Sequence, residues 1–128
     1  MLWGGPERRK SVRVQIRMTI QVQLQGQPRF YEAISLDLSM SGSRLLLHQH
    51  LPHCTPVYLE FRLPGALQNL YCPAHVVWCQ NTTTSLMPGS ESTFLMGVEF
   101  TSPPRDVRKA LKRFIADRLK RAPQALAD

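Results

Sequence analysis

Five residues with complementary chemistry form two short groups in this sequence. Arg9 and Arg13 form a pair, and Asp37, Ser39 and Gly42 follow about two dozen residues later. A guanidinium group binds phosphate or the O6/N7 edge of guanine through paired hydrogen bonds, and it stacks on purine faces. A carboxylate accepts hydrogen bonds, a hydroxyl accepts and donates them, and a glycine admits a ligand close to the backbone. Together these residues suit a purine ligand that carries phosphate.

Each group also has a purely structural interpretation. The basic segment 8–13 has no apolar period and is typical of a solvated charge run. Asp37 to Gly42 lie between two apolar runs, so a strand, a polar turn and a returning strand are expected there. In such a turn Asp37, Ser39 and Ser41 hydrogen-bond the backbone, while Gly42 supplies a permissive φ. Taken singly, each group is more typical of structure than of ligand binding.

The predicted strands bring the two groups together. Residues 14–24 alternate between apolar and polar side chains, which indicates a half-buried antiparallel strand. After a turn at residues 25–28, the β-rich run 30–36 returns as the second strand of a hairpin. The start of one antiparallel strand lies beside the end of the other. The arginine pair and the polar turn are therefore expected to meet at one end of the sheet.

Further strands are predicted at residues 43–47, 57–63, 70–78 and 94–100, the last with a bulge or close backbone approach at Gly97. Six short antiparallel strands suggest a small barrel or a sandwich. Ser102 is expected to cap a helix, with Pro103 at its first position. Pro123 is expected to end that helix. Its apolar stripe comprises Val107, Ala110, Leu111, Phe114, Ile115 and Leu119.

The motif RxxxR, followed by [D/N]xSxxG at the end of a strand, resembles the PilZ domain, a bacterial receptor module for cyclic di-GMP. Arg9, Arg13, Asp37, Ser39 and Gly42 occupy every motif position. The sequence GVEF at 97–100 resembles the GVxF that usually ends the family's last barrel strand. The resemblance implies a mainly β fold: a six-stranded antiparallel barrel with a C-terminal amphipathic helix.

The resemblance also implies roles for these residues. Arg9 and Arg13 are expected to grip phosphate and guanine, and Asp37 to accept hydrogen bonds from guanine N1 and N2. The Ser39 hydroxyl is expected at a phosphate or guanine edge, and Gly42 lets the ligand approach the backbone. The organisation expected is a tail at 1–7, one domain at 8–121 and a tail at 122–128. Within the domain the barrel spans about 14–101 and the helix about 103–121.

The residues before the barrel carry two further hypotheses. Segment 8–13 is charged, poor in apolar side chains and preceded by Gly-Pro, so it is predicted to be mobile without ligand and ordered by it. Arg8 precedes the motif, which resembles the case in which an intercalated ligand dimer is held. Two cyclic di-GMP molecules per chain are therefore a hypothesis. No other cofactor is expected.

Composition sets the class of partner and compartment. The 128 residues carry a formal charge of +7 and a pI near 9.9, which favours an anionic partner. Three cysteines without disulfide-scaffold spacing fit a reducing cytoplasm. No signal-peptide pattern and no apolar run long enough for a membrane span occur. A cytoplasmic monomer or weak dimer is expected.

Several other functions stay open on the sequence. A PilZ-like barrel that binds no nucleotide acts as an adaptor, and a single-domain receptor needs an unidentified protein partner in either case; the helix and the 81–92 loop are candidate surfaces. An RNA- or single-stranded-DNA-binding barrel would interleave aromatic and basic residues on one face. The aromatic residues look scattered instead: Tyr31, Tyr58, Phe61 and Tyr71. No nucleic-acid polymer is therefore expected.

Catalysis and metal binding are disfavoured by motif and spacing. No GxSxG, HExxH or Walker sequence occurs, so no enzymatic activity is predicted. The HxHxxHC sequence has ligand types suited to a metal but fits no standard zinc spacing. Loop histidines and buried thiols are favoured over a metal site for its four residues: His48, His50, His53 and Cys54.

Overall fold

The computed structural model of the chain describes residues 12–82 and 92–126, with side chains through residue 121. These ranges contain eight strands and one helix, α1 (Arg105–Leu126). The strands are β1 (Val14–Gln15), β2 (Thr19–Leu24), β3 (Phe30–Ser35), β4 (Asp37–Leu38), β5 (Gly42–Leu47), β6 (Pro56–Phe61), β7 (Leu70–Asn81) and β8 (Phe94–Phe100).

Six of the strands close into a barrel in the order β2-β3-β5-β8-β7-β6, and every pairing is antiparallel. Strand β2 pairs with β3 on one side and β6 on the other, so the barrel leaves no exposed edge. The short strands β1 and β4 form a separate two-stranded sheet. The predicted six-stranded barrel with a C-terminal helix is confirmed.

Alternating side chains of the barrel strands form the core, and α1 adds one apolar stripe to it. Fully buried residues include Ile20 and Val22 of β2, which predicted the strand through their period of two. On α1, Val107, Leu111 and Ile115 are buried. The helix contacts β7 and β1. Among the described residues, no helix is long and apolar enough to cross a bilayer.

Both ends of α1 differ from the sequence prediction. The helix begins at Arg105, where the amide of Arg108 donates to the Pro104 carbonyl at 3.0 Å. Ser102 has a φ of 45° and lies before the first turn, so the predicted Ser102 cap is wrong. The helix also extends to Leu126, beyond the end expected near 121. A proline removes one backbone donor, and Pro123 does not terminate the helical range here.

The predicted first strand is broken into β1 and β2 by a hydrogen-bonded side chain. The buried Ser35 hydroxyl accepts from the Met18 amide at 3.1 Å and donates to the Ile16 carbonyl at 2.9 Å. The Ser35 hydroxyl therefore satisfies two backbone groups that would pair with the neighbouring strand if residues 14–24 formed one continuous strand. The break lets β1 leave the barrel and pair with β4 beside it.

The three cysteines differ sharply in accessibility, which gives a testable reactivity order. Burial, with a smaller effect from the Asp106 carboxylate, raises the pKa of the Cys72 thiol to about 11. Cys54 is exposed, so the buried thiol predicted there is wrong, and Cys79 is intermediate. Because thiolates are the reactive form, Cys72 should react at least about a hundredfold more slowly than Cys54 with a thiol reagent at pH 8. Mass spectrometry of partially labelled protein measures this order. Labelling of Cys72 before Cys54 in the folded protein would contradict it.

Candidate functional site

The small β1–β4 sheet joins the two polar motifs. Val14 pairs with Leu38 and Gln15 pairs with Asp37, so the residue before β1 lies beside the polar turn. The Nη1 of Arg13 lies 3.3 Å from Oδ1 of Asp37 and 3.4 Å from Oδ2. The structure thus brings Arg13 to Asp37, as the hairpin geometry predicted. Arg8 and Arg9 lie outside the described residues.

Two arginines hold the Asp37 carboxylate very differently. Arg44 donates from its amide to Oδ1 at 2.9 Å and from Nε to Oδ2 at 2.7 Å. The Arg13 contacts are longer, whereas the exposure of the two arginine side chains is similar, 51% for Arg13 and 44% for Arg44, above a carboxylate that is 3% exposed. A half-exposed ion pair of this length contributes little free energy. Arg44 therefore orients the carboxylate, and Arg13 adds a longer contact to it.

The Ser39 hydroxyl closes the turn between β4 and β5. Ser39 is fully buried, and its Oγ accepts from the amides of Ser41 and Gly42 at 3.1 Å each. The same hydroxyl lies 3.1 Å from the Gly42 carbonyl, which also accepts from the Ser39 amide at 2.9 Å. The structural role predicted for the turn is present at Ser39. Contact between this hydroxyl and a ligand stays a prediction.

Gly42 is required by the neighbouring strand. It pairs with Glu99 in the β5–β8 ladder, and a Cβ at this position would clash with the backbone carbonyl of Val98. The described glycines with positive φ are Gly26 and Gly65, so the predicted permissive φ at Gly42 is wrong. The close approach that excludes a side chain is made by β8.

A side chain at Gly97 would also clash with a neighbour, but this neighbour is a side chain and not the backbone. The register of β7 against β8 shifts between Val76 and Trp78, and a Cβ on Gly97 would meet the Trp78 indole. A bulge is present here, on the partner strand β7, whereas the group that lies close to Gly97 is the Trp78 side chain and not the backbone. An indole can move where a backbone carbonyl in a ladder cannot.

Sequence reasoning missed Arg44 and Ser43 beside the site. The Ser43 hydroxyl donates to the Asp37 carbonyl at 2.6 Å, so Ser43 fixes the backbone of Asp37 while Arg44 fixes its carboxylate. The available signal was an isolated arginine within the apolar run Gly42–Leu47, on the exposed side of the strand period. That pattern alone does not predict that the Arg44 guanidinium binds the Asp37 carboxylate.

The HxHxxHC residues have separate surroundings in the structure. His48 Nδ1 lies 3.0 Å from the Ser92 carbonyl, His50 packs edge-on against Phe94, and His53 contacts the Cys54 sulfur at 3.1 Å. Within residues 12–82 and 92–126, no group of three or more His, Cys, Asp or Glu side chains is placed to hold a metal ion.

The aromatic residues are less scattered than the sequence suggested. Tyr58 and Tyr71 line one groove of about 510 Å³ on the barrel exterior, together with Phe30. Its charged lining residue is Glu60, and no lysine or arginine lines it. Nucleic-acid binding depends on neutralising phosphates with basic side chains. The groove therefore lacks the charge of a single-strand-binding surface.

Solved structures with a similar fold match about nine-tenths of the chain. Among solved structures, the PilZ domain of YcgR from Escherichia coli with c-di-GMP is 17% identical at a TM-score of 0.68, covering 94% of this chain and 98% of that one. The Bacillus subtilis inhibitor of motility (MotI/DgrA) is 21% identical at a TM-score of 0.70, covering 89% and 52%. The K. pneumonia MrkH–c-di-GMP complex is 16% identical at a TM-score of 0.70, covering 92% and 55%.

The TM-scores of 0.68 to 0.70 establish a shared fold. The chain spans nearly all of the isolated YcgR domain but about half the length of MotI and MrkH. A search of curated proteins found no match. The family model of the PilZ domain matches residues 7–117. That range contains both polar motifs, all six barrel strands and most of α1. The chain belongs to the PilZ domain family.

Proposed function

We propose that this chain is a receptor for cyclic di-GMP, bound across the RxxxR and DxSxxG motifs, that signals to a protein partner. The observation that carries the proposal is the contact of Arg13 with the buried, Arg44-oriented carboxylate of Asp37. The contact brings together a guanidinium, a group that can bind phosphate, and a carboxylate, a group that can accept hydrogen bonds from guanine N1 and N2. Structures of YcgR and MrkH with c-di-GMP, which share this fold, support the choice of ligand.

Ligand entry proceeds by exchange at Asp37. The N1 and N2 donors of a guanine replace the two long hydrogen bonds from Arg13, while Arg44 keeps the carboxylate in place. The released Arg13 guanidinium then turns to a phosphate or to the guanine O6/N7 edge. Each charge-assisted hydrogen bond gained is worth about 1.5–3 kcal/mol. The weak Arg13–Asp37 ion pair is thereby replaced by a ligand that contacts both side chains.

Ordering of the arginine segment 8–13 over the barrel mouth accompanies binding. Arg9 joins Arg13 on the ligand, and Arg8 holds a second, intercalated ligand molecule. The ordered segment creates a surface that exists in the bound form only, and this surface together with α1 contacts the protein partner. We propose no catalytic step at these residues.

Isothermal titration of cyclic di-GMP into the wild-type chain tests this function, with GTP and single-stranded RNA as controls. Saturable heat with cyclic di-GMP alone is expected, with a micromolar or lower Kd and about two ligands per chain. One ligand per chain would remove the role given to Arg8. Absence of heat with cyclic di-GMP would instead favour the adaptor function.

A further inference from the structure

Three arginines from three separate parts of the chain line one cleft beside the candidate site. The cleft has a volume of about 430 Å³, within the size range of small-molecule pockets. Arg17 belongs to the break between β1 and β2, Arg44 to β5 and Arg118 to α1. Pro64, which follows β6, forms another wall. No acidic residue is among the lining residues.

The charge of this cleft is incompletely compensated. Arg44 is paired with Asp37, whereas neither Arg17 nor Arg118 has a carboxylate within ion-pair distance in the part of the chain that the structure describes. The Arg118 guanidinium lies 5.1 Å from the centre of the Phe114 ring, which supports the side chain by a cation–π contact. Converging guanidinium groups in a concave site attract an anion, and their planar forks match phosphate oxygens.

The cleft is continuous with the site at Asp37. Arg44 belongs to both, because its Nε binds the Asp37 carboxylate and its side chain lines the cleft. Gln15, another lining residue, is the strand partner of Asp37 in the β1–β4 sheet. Because the two sites share Arg44 and adjoin at the Gln15–Asp37 pair, one ligand with its guanine at Asp37 can reach the cleft with its sugar-phosphate ring.

We infer that the Arg17–Arg44–Arg118 cleft is a phosphate subsite for the cyclic dinucleotide and that Arg118 makes α1 part of the ligand site. The inference rests on the proposed function. Its consequence concerns the second half of α1, where Leu119 is 40% exposed and packing on the barrel is weaker than at the fully buried Val107 and Leu111. A phosphate held by Arg118 ties this half of the helix to the barrel, so occupancy of the site reaches the helix directly.

The test compares two cleft variants with two matched controls by titration of cyclic di-GMP. Arg17→Ala and Arg118→Ala each remove a cleft charge. Arg29→Ala removes an exposed charge from the far end of the β2–β3 hairpin, and Arg113→Ala removes one from α1 outside the cleft. Each cleft variant should weaken binding at least about tenfold, and each control less than about threefold.

Hydrogen exchange supplies a second measurement, which would not respond to ligand at the end of α1 if Arg118 had only a structural role. Cyclic di-GMP should slow amide exchange in residues 114–121 of the wild-type chain, and Arg118→Ala should abolish that slowing. Thermal unfolding without ligand checks that the variants fold; Arg17 makes no described ion pair, so Arg17→Ala should unfold like wild type. Wild-type binding combined with cleft variants indistinguishable from their controls overturns the subsite and leaves the receptor intact. A wild-type chain that binds no cyclic di-GMP overturns both.

Discussion

Replacement of Arg9 and Arg13 by alanine is expected to weaken cyclic di-GMP binding at least about a hundredfold, the loss of two charge-assisted contacts. The same double variant should retain nearly all of its free energy of unfolding. The main contact that Arg13 makes in the fold is its half-exposed ion pair with Asp37, at 3.3 Å. Such pairs contribute about 0–1 kcal/mol to the free energy of unfolding. Arg44 continues to satisfy Asp37 in the variant. Titration calorimetry and urea unfolding measure the two quantities separately.

The control variant for this prediction also loses two positive charges, but from positions outside both motifs. Arg29→Ala/Arg113→Ala deletes two exposed arginines, one in the β2–β3 turn region and one on α1, and leaves both motifs unchanged. Its affinity should stay within about threefold of wild type, since distant exposed charges are largely screened at physiological salt. Equal losses in the two double variants would mean that total charge, rather than the RxxxR motif, governs binding.

Substitution of Gly42 by alanine should produce the largest loss of stability among the motif positions. The new methyl group would clash with the Val98 carbonyl, which belongs to the β5–β8 ladder and cannot move without separating the strands. Forced insertion of a methyl group into packed structure costs about 1–3 kcal/mol or more, and a backbone neighbour places this site at the upper end. Urea unfolding followed by circular dichroism gives the change in the free energy of unfolding.

Gly26→Ala is the matched control for an added methyl group. No atom lies within 4 Å of a Cβ built on Gly26, so its cost is limited to its φ of +81°. An alanine in that conformation costs about 1–2 kcal/mol. If Gly42→Ala unfolds at the same urea concentration as Gly26→Ala, the close approach of β8 does not explain Gly42, and its requirement would have to come from the ligand.

The hairpin and the barrel were predictable because they depend on periodicity. The alternation that includes Ile20 and Val22 gave the strand and its buried face, and antiparallel geometry then placed Arg13 near Asp37. The apolar stripe of α1 was predictable for the same reason at Val107, Leu111 and Ile115, whereas Leu119, predicted in the same stripe, is exposed. These features follow from local patterns that the chain repeats several times.

The remaining features depend on contacts between residues distant in sequence. The break at residues 16–18 is made by the Ser35 hydroxyl, and nothing in the alternating pattern of 14–24 marks it. Arg44 reaches Asp37 because two strands meet at a tight turn, and the groove of Phe30, Tyr58 and Tyr71 forms across separate strands. The observed start of α1 lies later than the predicted one because Ser102, which has a positive φ, belongs to the turn before the helix.

An amide NMR titration of the wild-type chain with cyclic di-GMP tests most directly whether the two motifs form one ligand site. We predict that the largest shift changes fall together in residues 8–13 and in the turn from Asp37 to Arg44, at the same ligand concentration. The amide of Arg44, which donates to Asp37, should be among the most affected. Changes confined to one motif, or centred on the basic face of α1 away from both, would contradict a joint site.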